Sequence, residues 1–329
     1  MSTATMPQFT RQDYRVEHPN DWCPGCGDFG ILTAIQHALA GLHLIPHQVA
    51  VFGGIGCSGK AVYYLPTYGV HTLHGRVLPY ATGAKLANPE VTVIAVGGDG
   101  DGLGIGAGHF VNTGRRNLDL TYILFNNEVY GLTKGQAAPT LPLGMQTKSL
   151  AEPTMQAAVN PLLLAFAAGF TWIGRGYAYQ VRHLAELVQR AIQHPGLAYL
   201  DVLQPCPTYN DVYTKEWFAG KDVAEGGADT QPRLYDVAQE DYDPTIPVGA
   251  SEELTLAKVT QFVAKAHEWG KRIPLGLLLE NRTLSTFEQR IAAHLPSYHD
   301  APPARRVIAD AHGRPTTDLQ TIIAELTIT

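Results

Sequence analysis

Two polar motifs, each at the end of an apolar, β-rich segment, contain the residues best suited to chemistry. Gly98-Asp99-Gly100 follows the run 91–96, and Asn126-Asn127 follows the run 120–125. The sequence between them is long enough for one helix and one strand, as a parallel βαβ crossover requires. Ligands bind beyond the carboxyl ends of the strands in such sheets. We therefore expect Asp99 and Asn127 to lie at one edge of a sheet.

A carboxylate and a side-chain amide at one sheet edge are suited to a Mg²⁺ ion that holds a diphosphate. Mg²⁺ prefers oxygen ligands and is usually bound by one or two protein groups together with ligand phosphates. Asp99 would supply a full charge, Asn127 a neutral oxygen, and Val129 its backbone carbonyl. Gly98 and Gly100 would let the backbone approach the phosphates, and the next helix would present N–H groups to the anion.

The four cysteines form a second candidate site. Cys23 and Cys26 make a C-x-x-C pair, whereas Cys57 and Cys206 are isolated. All four lie in loops at the ends of predicted elements. Four thiolates can bind one iron–sulfur cluster or one Zn²⁺. Zinc sites typically use two close pairs, so the dispersed spacing favours a cluster, and zinc stays the alternative.

The elements that must position these residues alternate between helix and strand from about residue 29 to 206. The pattern predicts strands at 48–54, 91–97, 120–126, 170–174 and 197–203. It predicts helices at 29–42, 78–87, 105–116, 155–168 and 179–194. Apolar strands that alternate with helices are typical of a parallel sheet covered on both faces. We therefore predict an α/β fold with a doubly wound parallel sheet and an N-terminal loop that carries the C-x-x-C pair.

The rest of the chain has a different character. A long connection is expected at 209–247, followed by helices at 251–269 and near 285–294. We predict that residues 1–220 form the domain that holds both sites. Residues 221–329 are predicted to form a C-terminal extension that packs on this domain or on a partner.

Composition excludes several classes of protein. The 329-residue chain has a net charge of -6 and no basic tract, so nucleic acid is not an expected partner. No apolar run approaches the roughly 20 residues that span a bilayer, and the first residues lack an apolar signal core. We expect a cytoplasmic protein with no membrane partner.

Further motifs occur in a fixed order around the two sites. They are Trp22-Cys23-Pro24-Gly25-Cys26-Gly27, Gly54-Ile55-Gly56-Cys57-Ser58, His71-Thr72-Leu73-His74-Gly75-Arg76 and the continuation Glu128-Val129-Tyr130-Gly131-Leu132-Thr133-Lys134-Gly135-Gln136. The two opening motifs match the thiamine diphosphate motif, in which GDG is followed by NN. Over about residues 15–220, the chain resembles the β subunit of 2-oxoacid:ferredoxin oxidoreductases, most of all the 2-oxoglutarate type.

The resemblance implies a sheet of the thiamine-diphosphate-binding type and a specific activity. That activity is CoA-dependent oxidative decarboxylation of a 2-oxoacid, here 2-oxoglutarate to succinyl-CoA and CO₂, or the reverse carboxylation. Electrons would pass through a 4Fe–4S cluster to ferredoxin. The family places the pyrimidine-binding domain in an α subunit, which implies a heterodimer or a dimer of heterodimers. Because this chain shows no second domain that could activate thiamine, we expect the isolated chain to be inactive.

The resemblance also implies roles for individual residues. The cluster ligands would be Cys23, Cys26, Cys57 and Cys206, and the Mg²⁺ ligands would be Asp99, Asn127 and Val129. The thiamine diphosphate contacts would be Gly56, Cys57, Ser58, His74, Gly98, Asp99, Gly100, Asp101, Asn127, Val129, Gly131, Leu132 and Thr133.

Three residues are candidates for contact with the substrate. The resemblance puts His74 at the thiamine site, where an imidazole can stabilise an oxyanion or transfer a proton. Lys60 and Arg76 are candidates for binding a substrate carboxylate. A second carboxylate would need such a cation, which favours 2-oxoglutarate over pyruvate. Pyruvate or a broad range of 2-oxoacids is the alternative.

Three other functions would each account for part of the sequence. The segment Gly54–Lys60 fits the P-loop pattern GxxxxGK, but Ala61 follows where the Mg²⁺-binding hydroxyl would stand. A zinc-stapled, non-enzymatic scaffold would use the cysteines and would be colourless. A non-redox thiamine enzyme would use Asp99 and Asn127 but would leave the cysteines without a role.

Overall fold

The computed structural model describes residues 9–221 and 231–327 and has the α/β architecture that the sequence predicts. The strands are β1 Val49–Gly53, β2 Tyr68–His71, β3 Thr92–Gly98, β4 Leu120–Asn126, β5 Val129–Tyr130, β6 Gln136–Ala137, β7 Trp172–Tyr177, β8 Leu197–Leu203, β9 Leu234–Asp236, β10 Thr245–Ile246 and β11 Ile273–Asn281. The α-helices are α1 Asp28–Gly41, α2 Val77–Ala87, α3 Ala107–Gly114, α4 Pro161–Ala168, α5 Val181–Gln193, α6 Lys215–Phe218, α7 Glu252–His267, α8 Phe287–His294 and α9 Leu319–Leu326. A 3-10 helix covers Ser58–Tyr64, and a π-helical turn covers Gly100–Ile105.

The main sheet has the strand order β10-β11-β7-β8-β4-β3-β1-β2, and β9 also pairs with β11. The pairs among β1, β2, β3, β4, β7 and β8 are parallel, which confirms the predicted fold class. Strand β11 is antiparallel to β7 and was not predicted. Its sequence contains Pro274 and Gly276, residues that usually interrupt strand patterns. The structure accommodates Gly276 at φ +115° and a register shift between Leu277 and Leu279.

Helix α4 corrects one predicted boundary. The sequence pattern predicted a helix from Met155, but α4 begins at Pro161. The Asn160 side chain caps this start, because its Oδ1 accepts hydrogen bonds from the backbone N–H groups of Leu162 and Leu163 at 3.1 and 3.2 Å. Proline is favoured at the first position of a helix, so Asn160-Pro161 fixes the start.

Helices cover both faces of the sheet, and the central strands are buried on both sides. In β4, Ile123 faces the core beneath α1 and α5, whereas Tyr122 faces the core beneath α3 and α4. Each fully buried apolar side chain contributes about 1.5–3 kcal/mol. This packing explains why the strands are apolar at nearly every position. Within residues 9–221 and 231–327, none of the helices has both the length and the apolar composition to cross a membrane.

The C-terminal part of the chain contributes to the sheet itself. Strand β11 lies beside β7, and α7 packs against β11. The predicted connection at 209–247 contains α6, β9 and β10, and its residues 222–230 lie outside the described ranges. The division of the chain at residue 220 stays a prediction.

An ion pair on β11 predicts a pH dependence of stability. Buried Glu280 lies 3.3 Å from Nδ1 of His194 and 2.9 Å from Nη2 of Arg282, through Oε1 and Oε2 respectively. The hydrogen bond from His194, followed by that from Arg282, holds the pKa of Glu280 at about 2, below its ordinary 4.5. The folded state therefore binds this proton less tightly than the unfolded state does. The stabilisation is present above about pH 4.5 and is lost as the pH falls towards 2.

We expect Glu280→Gln to lower the free energy of unfolding at pH 7 and to lower it much less at pH 2.5. Urea unfolding at pH 7, 4.5 and 2.5 measures this difference. Glu186→Gln, which changes an exposed glutamate on α5, is the control and should have little effect at any pH. An equal loss for Glu280→Gln at all three pH values would contradict the assignment.

Candidate diphosphate and cysteine sites

The carboxyl ends of four parallel strands bring the predicted site residues to one edge of the sheet. Gly98 pairs with Phe125, and Asn126 pairs with Leu203. Asp99, Asn127 and Gln204 therefore lie just beyond the ends of adjacent strands. The loop after β1 reaches the same edge, because the N–H of Gly54 donates to the carbonyl of Val96 at 2.9 Å.

A cavity of about 570 Å³ opens at this edge. Its wall contains every residue predicted to contact thiamine diphosphate, and it adds two that were not predicted, Ile55 and Tyr130. Tyr130 explains one glycine of the GDG motif. A Cβ atom at Gly100 would lie 2.3 Å from the Tyr130 ring, so any larger residue would displace that ring.

Asp99 has the environment of a cation ligand. Its carboxylate is buried, and Oδ2 accepts hydrogen bonds from the N–H of Glu128 at 2.8 Å and from the hydroxyl of Thr140. Burial raises the pKa of Asp99 to about 6. A buried carboxylate without a cation is costly, and a divalent ion would offset that cost. The site therefore fits Mg²⁺.

Both polar atoms of the Asn127 side-chain amide form hydrogen bonds. Its Nδ2 donates to Oε1 of Gln204 at 2.7 Å, and its Oδ1 accepts from the N–H of Val129 at 3.1 Å. A carboxamide oxygen has two lone pairs, so Oδ1 keeps one for a ligand. Glu128, which lies between Asn127 and Val129, has a φ of +66°. This backbone conformation turns the chain sharply after β4.

Ser58 provides an unused polar group in the cavity wall. Its hydroxyl is buried and has no hydrogen-bond partner within the described parts of the chain. It lies close to Gly98, where a Cβ atom would be 3.4 Å from the hydroxyl oxygen. A buried hydroxyl without a partner fits a ligand that carries acceptor oxygens, as a diphosphate does.

The Asp101 side chain connects its own loop, after β3, to the loops after β1 and β2 through hydrogen bonds. Its Oδ1 accepts hydrogen bonds from the N–H of Ile55 at 3.0 Å and the N–H of Gly75 at 2.8 Å, and it lies 2.8 Å from Nδ1 of His74. This buried carboxylate therefore orients the His74 ring and fixes the loops after β1 and β2. The geometry supports a positioning role for Asp101.

The loops that carry the four cysteines are joined directly. The indole N–H of Trp22 donates to the carbonyl of Cys57 at 2.9 Å, and the N–H of Gly27 donates to the carbonyl of Pro205 at 3.1 Å. All four cysteines are free thiols. These bonds bring the C-x-x-C loop against both isolated cysteines.

The surroundings of the thiols are buried and acidic. Burial raises the pKa of Cys57 to about 12 and also raises those of Cys26 and Cys206. Asp28 is buried beside them, and burial raises its pKa to about 7. Thiolates here would need added positive charge, which the iron of a cluster supplies. In the described ranges, no three His, Cys, Asp or Glu side chains converge on a single metal ion, so the ligand set stays a prediction.

Gln204 contacts both candidate sites and was not predicted. Its Nε2 lies 3.3 Å from Sγ of Cys26, and its Oε1 accepts from Asn127. The sequence feature that could have indicated Gln204 is its position directly after β8 and two residues before Cys206. Thr140 was also missed, because its contact with Asp99 depends on a loop that returns from far along the chain.

Of the three substrate-contact candidates, the structure brings only His74 to the cavity wall. The ammonium of Lys60 lies 2.8 Å from Oδ2 of Asp21 instead. Arg76 is an exposed residue at the start of α2. The carboxylate-binding roles of Lys60 and Arg76 stay predictions.

Two family models match the chain. The model described as "Thiamine pyrophosphate enzyme, C-terminal TPP binding domain" matches residues 46–202. A model for the C-terminal part of the "Pyruvate ferredoxin oxidoreductase beta subunit" matches residues 229–294. The first range contains the GDG and NN motifs together with Cys57.

Curated relatives and a solved structure are similar over much of the chain. "2-oxoacid:ferredoxin oxidoreductase subunit beta" of Saccharolobus solfataricus is 52% identical over 313 residues, which are 94% of this chain and 97% of that protein. "2-oxoglutarate synthase subunit KorB" of Archaeoglobus fulgidus is 40% identical over 194 residues, 59% of this chain and 72% of that protein. The solved structure is "2-oxoglutarate:ferredoxin oxidoreductase from Magnetococcus marinus with 2-oxoglutarate, coenzyme A and succinyl-CoA bound". It has a TM-score of 0.79 and 31% identity, and the match covers 99% of this chain and 98% of that one.

Proposed function

Because the chain belongs to the family of 2-oxoacid:ferredoxin oxidoreductase β subunits, we propose that it converts 2-oxoglutarate, CoA and oxidised ferredoxin to succinyl-CoA, CO₂ and reduced ferredoxin together with an α subunit. The observation that carries this proposal is the cavity at the sheet edge. One wall combines the buried Asp99 carboxylate, the Asn127 amide and the Ser58 hydroxyl, which has no partner among the described residues, and the cysteine loops adjoin it.

Each group in the cavity has a definite task in this proposal. Asp99, Asn127 and the carbonyl of Val129 would hold Mg²⁺, and the Ser58 hydroxyl would donate to the diphosphate. Thiamine diphosphate, when bound, supplies the electron sink for loss of CO₂. Asp101 occupies Nδ1 of His74, so Nε2 is the ring nitrogen left to donate to a substrate oxygen or to accept a proton.

The cysteine loops provide the redox half of the proposal. Cys23, Cys26, Cys57 and Cys206 would ligate a 4Fe–4S cluster, and such a cluster would supply a one-electron acceptor between the thiamine site and ferredoxin. Cys57 belongs to the cavity wall, and Gln204 contacts both Asn127 and Cys26, so the two sites are adjacent. The comparisons give no support to the zinc-stapled scaffold.

An exposed apolar surface supports the proposed α subunit. Tyr68 and Val70 on the edge strand β2, Leu73 beside His74, and Ile105 at the end of the π-helical turn are all exposed. Apolar side chains exposed around the mouth of a cavity are suited to contact with a partner subunit. An α subunit that covers this surface would close the mouth of the cavity and supply the pyrimidine end of the cofactor site.

The substrate has two candidates. The relatives named 2-oxoglutarate synthase and the structural neighbour with 2-oxoglutarate bound favour 2-oxoglutarate. A broad range of 2-oxoacids is the second candidate, because four relatives at 50–52% identity are named only 2-oxoacid:ferredoxin oxidoreductase.

Steady-state kinetics of the chain assembled with its α subunit decide between the two candidates. With CoA and a low-potential dye under anaerobic conditions, we expect kcat/KM for 2-oxoglutarate to exceed that for pyruvate by about tenfold or more, which is about 1.4 kcal/mol of discrimination. Equal values for the two substrates would establish the broad range instead. A preference for pyruvate would contradict both the proposal and its second candidate.

A further inference from the structure

A second cavity, of about 610 Å³, lies against the same loop as the cofactor cavity. From the last residue of β4 onward, successive residues alternate between the two spaces. Asn127 and Val129 line the cofactor cavity, whereas Asn126 and Glu128 line the second one. Neither the family models nor the names of the relatives assign a ligand to this second space.

Three polar atoms on the wall of the second cavity are unsatisfied. They are Oδ1 of Asn126, Oε2 of Glu128 and Nη1 of Arg175, and none has a hydrogen-bond partner in residues 9–221 or 231–327. Each belongs to a side chain that is more than nine-tenths buried. Buried polar groups in proteins are almost always paired, so these three atoms need partners that the described residues do not supply.

Asp201 fixes the orientation of two of these side chains. Its Oδ2 accepts from Nε of Arg175 and its Oδ1 accepts from Nδ2 of Asn126, both at 2.9 Å. Because Asp201 takes Nε of Arg175 and Nδ2 of Asn126, Nη1 of Arg175 and Oδ1 of Asn126 remain for a ligand. The cavity therefore presents a cationic donor beside two side-chain oxygen acceptors.

The rest of the wall is largely apolar. Pro142, Val159 and Trp269 line it, and Cζ of Arg175 lies 5.6 Å from the centre of the Trp269 ring. A ligand that fits must therefore carry an apolar portion as well as groups that pair with Arg175 and with the acceptors.

We propose that this cavity binds a free α-amino acid with an apolar side chain. The ligand carboxylate accepts from Nη1 of Arg175, and the ammonium donates to Oδ1 of Asn126 and Oε2 of Glu128. The side chain packs against Trp269. A simple carboxylate would leave the acceptors without donors, and a simple amine would leave Arg175 without an acceptor. A zwitterion satisfies both kinds of group, whereas a 2-oxoacid lacks the ammonium.

Calorimetric titration of the full chain with L-leucine, 4-methylpentanoate and 3-methylbutylamine tests the proposal. The second and third probes each lack one of the two charged groups of leucine. We expect L-leucine to bind at least tenfold more tightly than either analogue. Saturation-transfer NMR on the unmodified protein gives a second measurement that needs no variant. Equal binding of 4-methylpentanoate, or no binding by any probe, would overturn the proposal.

Two variants locate the binding. We expect Trp269→Ala to weaken leucine binding about tenfold or more, because it removes an apolar wall. Leu256→Ala changes an exposed residue on α7 outside the cavity and should leave binding unchanged. Leucine affinity that is unchanged in Trp269→Ala would place the ligand elsewhere and overturn the proposal. These titrations need neither thiamine diphosphate nor turnover, so their failure would leave the proposed enzymatic function intact.

Discussion

Asp99→Ala is expected to weaken the binding of thiamine diphosphate with Mg²⁺ by about 100-fold or more. Asp99 is buried, and its Oδ2 is held by Glu128 and Thr140, so the carboxylate is already oriented before the ion arrives. Removing one partner of a buried charge pair costs about 3–5 kcal/mol, and each tenfold change in affinity is about 1.4 kcal/mol. No other residue proposed to contact Mg²⁺ supplies a negative charge.

Calorimetric titration of the chain assembled with its α subunit, with thiamine diphosphate in the presence of Mg²⁺, measures the loss. Asp241→Ala removes an exposed carboxylate and is the control for a general effect of charge. The iron content should be the same in both variants, because Asp99 is not a cluster ligand. Thiamine diphosphate affinity that survives in Asp99→Ala would contradict the metal assignment.

Each of the four cysteine-to-serine variants is expected to lose most of the iron and sulfide of the anaerobically purified protein. The chain has only four cysteines, so no spare thiol can replace a lost ligand. The three thiols Cys26, Cys57 and Cys206 have raised pKa values because they are buried, and a thiolate at these positions needs the positive charge of a bound metal. Loss of one ligand leaves the cluster open to water.

Iron and sulfide analysis together with the visible spectrum checks this result. Ser58→Ala is a matched control beside Cys57, and it should keep the full visible absorbance of the cluster. A variant that retains its iron would remove that cysteine from the ligand set. Stoichiometric zinc in the unmodified protein, with no iron, would contradict the cluster assignment.

The alternation of elements and the position of the motifs were predictable from the sequence. Strands such as β4 and β8 are buried on both faces, so they appear as mostly apolar runs, interrupted in β8 by Asp201, and Gly or polar residues mark where they end. A parallel sheet then brings those ends to one edge. This is why Asp99 and Asn127 could be paired without coordinates.

Two kinds of feature were not predictable: elements whose sequence pattern is interrupted or displaced, and contacts between distant loops. Strand β11 was missed because Pro274 and Gly276 interrupt its pattern, and the start of α4 was set by Asn160 and Pro161. The partner of Lys60 is Asp21, 39 residues away, and no local pattern pairs them. Thr140 and Gln204 likewise reach the site through loop positions that only the folded chain defines.

The central claim is that this chain provides one half of a thiamine-dependent redox site. The most direct test is an anaerobic assay of 2-oxoacid- and CoA-dependent reduction of a low-potential dye, with this chain alone, the α subunit alone, and both together. We expect turnover only when the two subunits are present together. Turnover by this chain alone would contradict it.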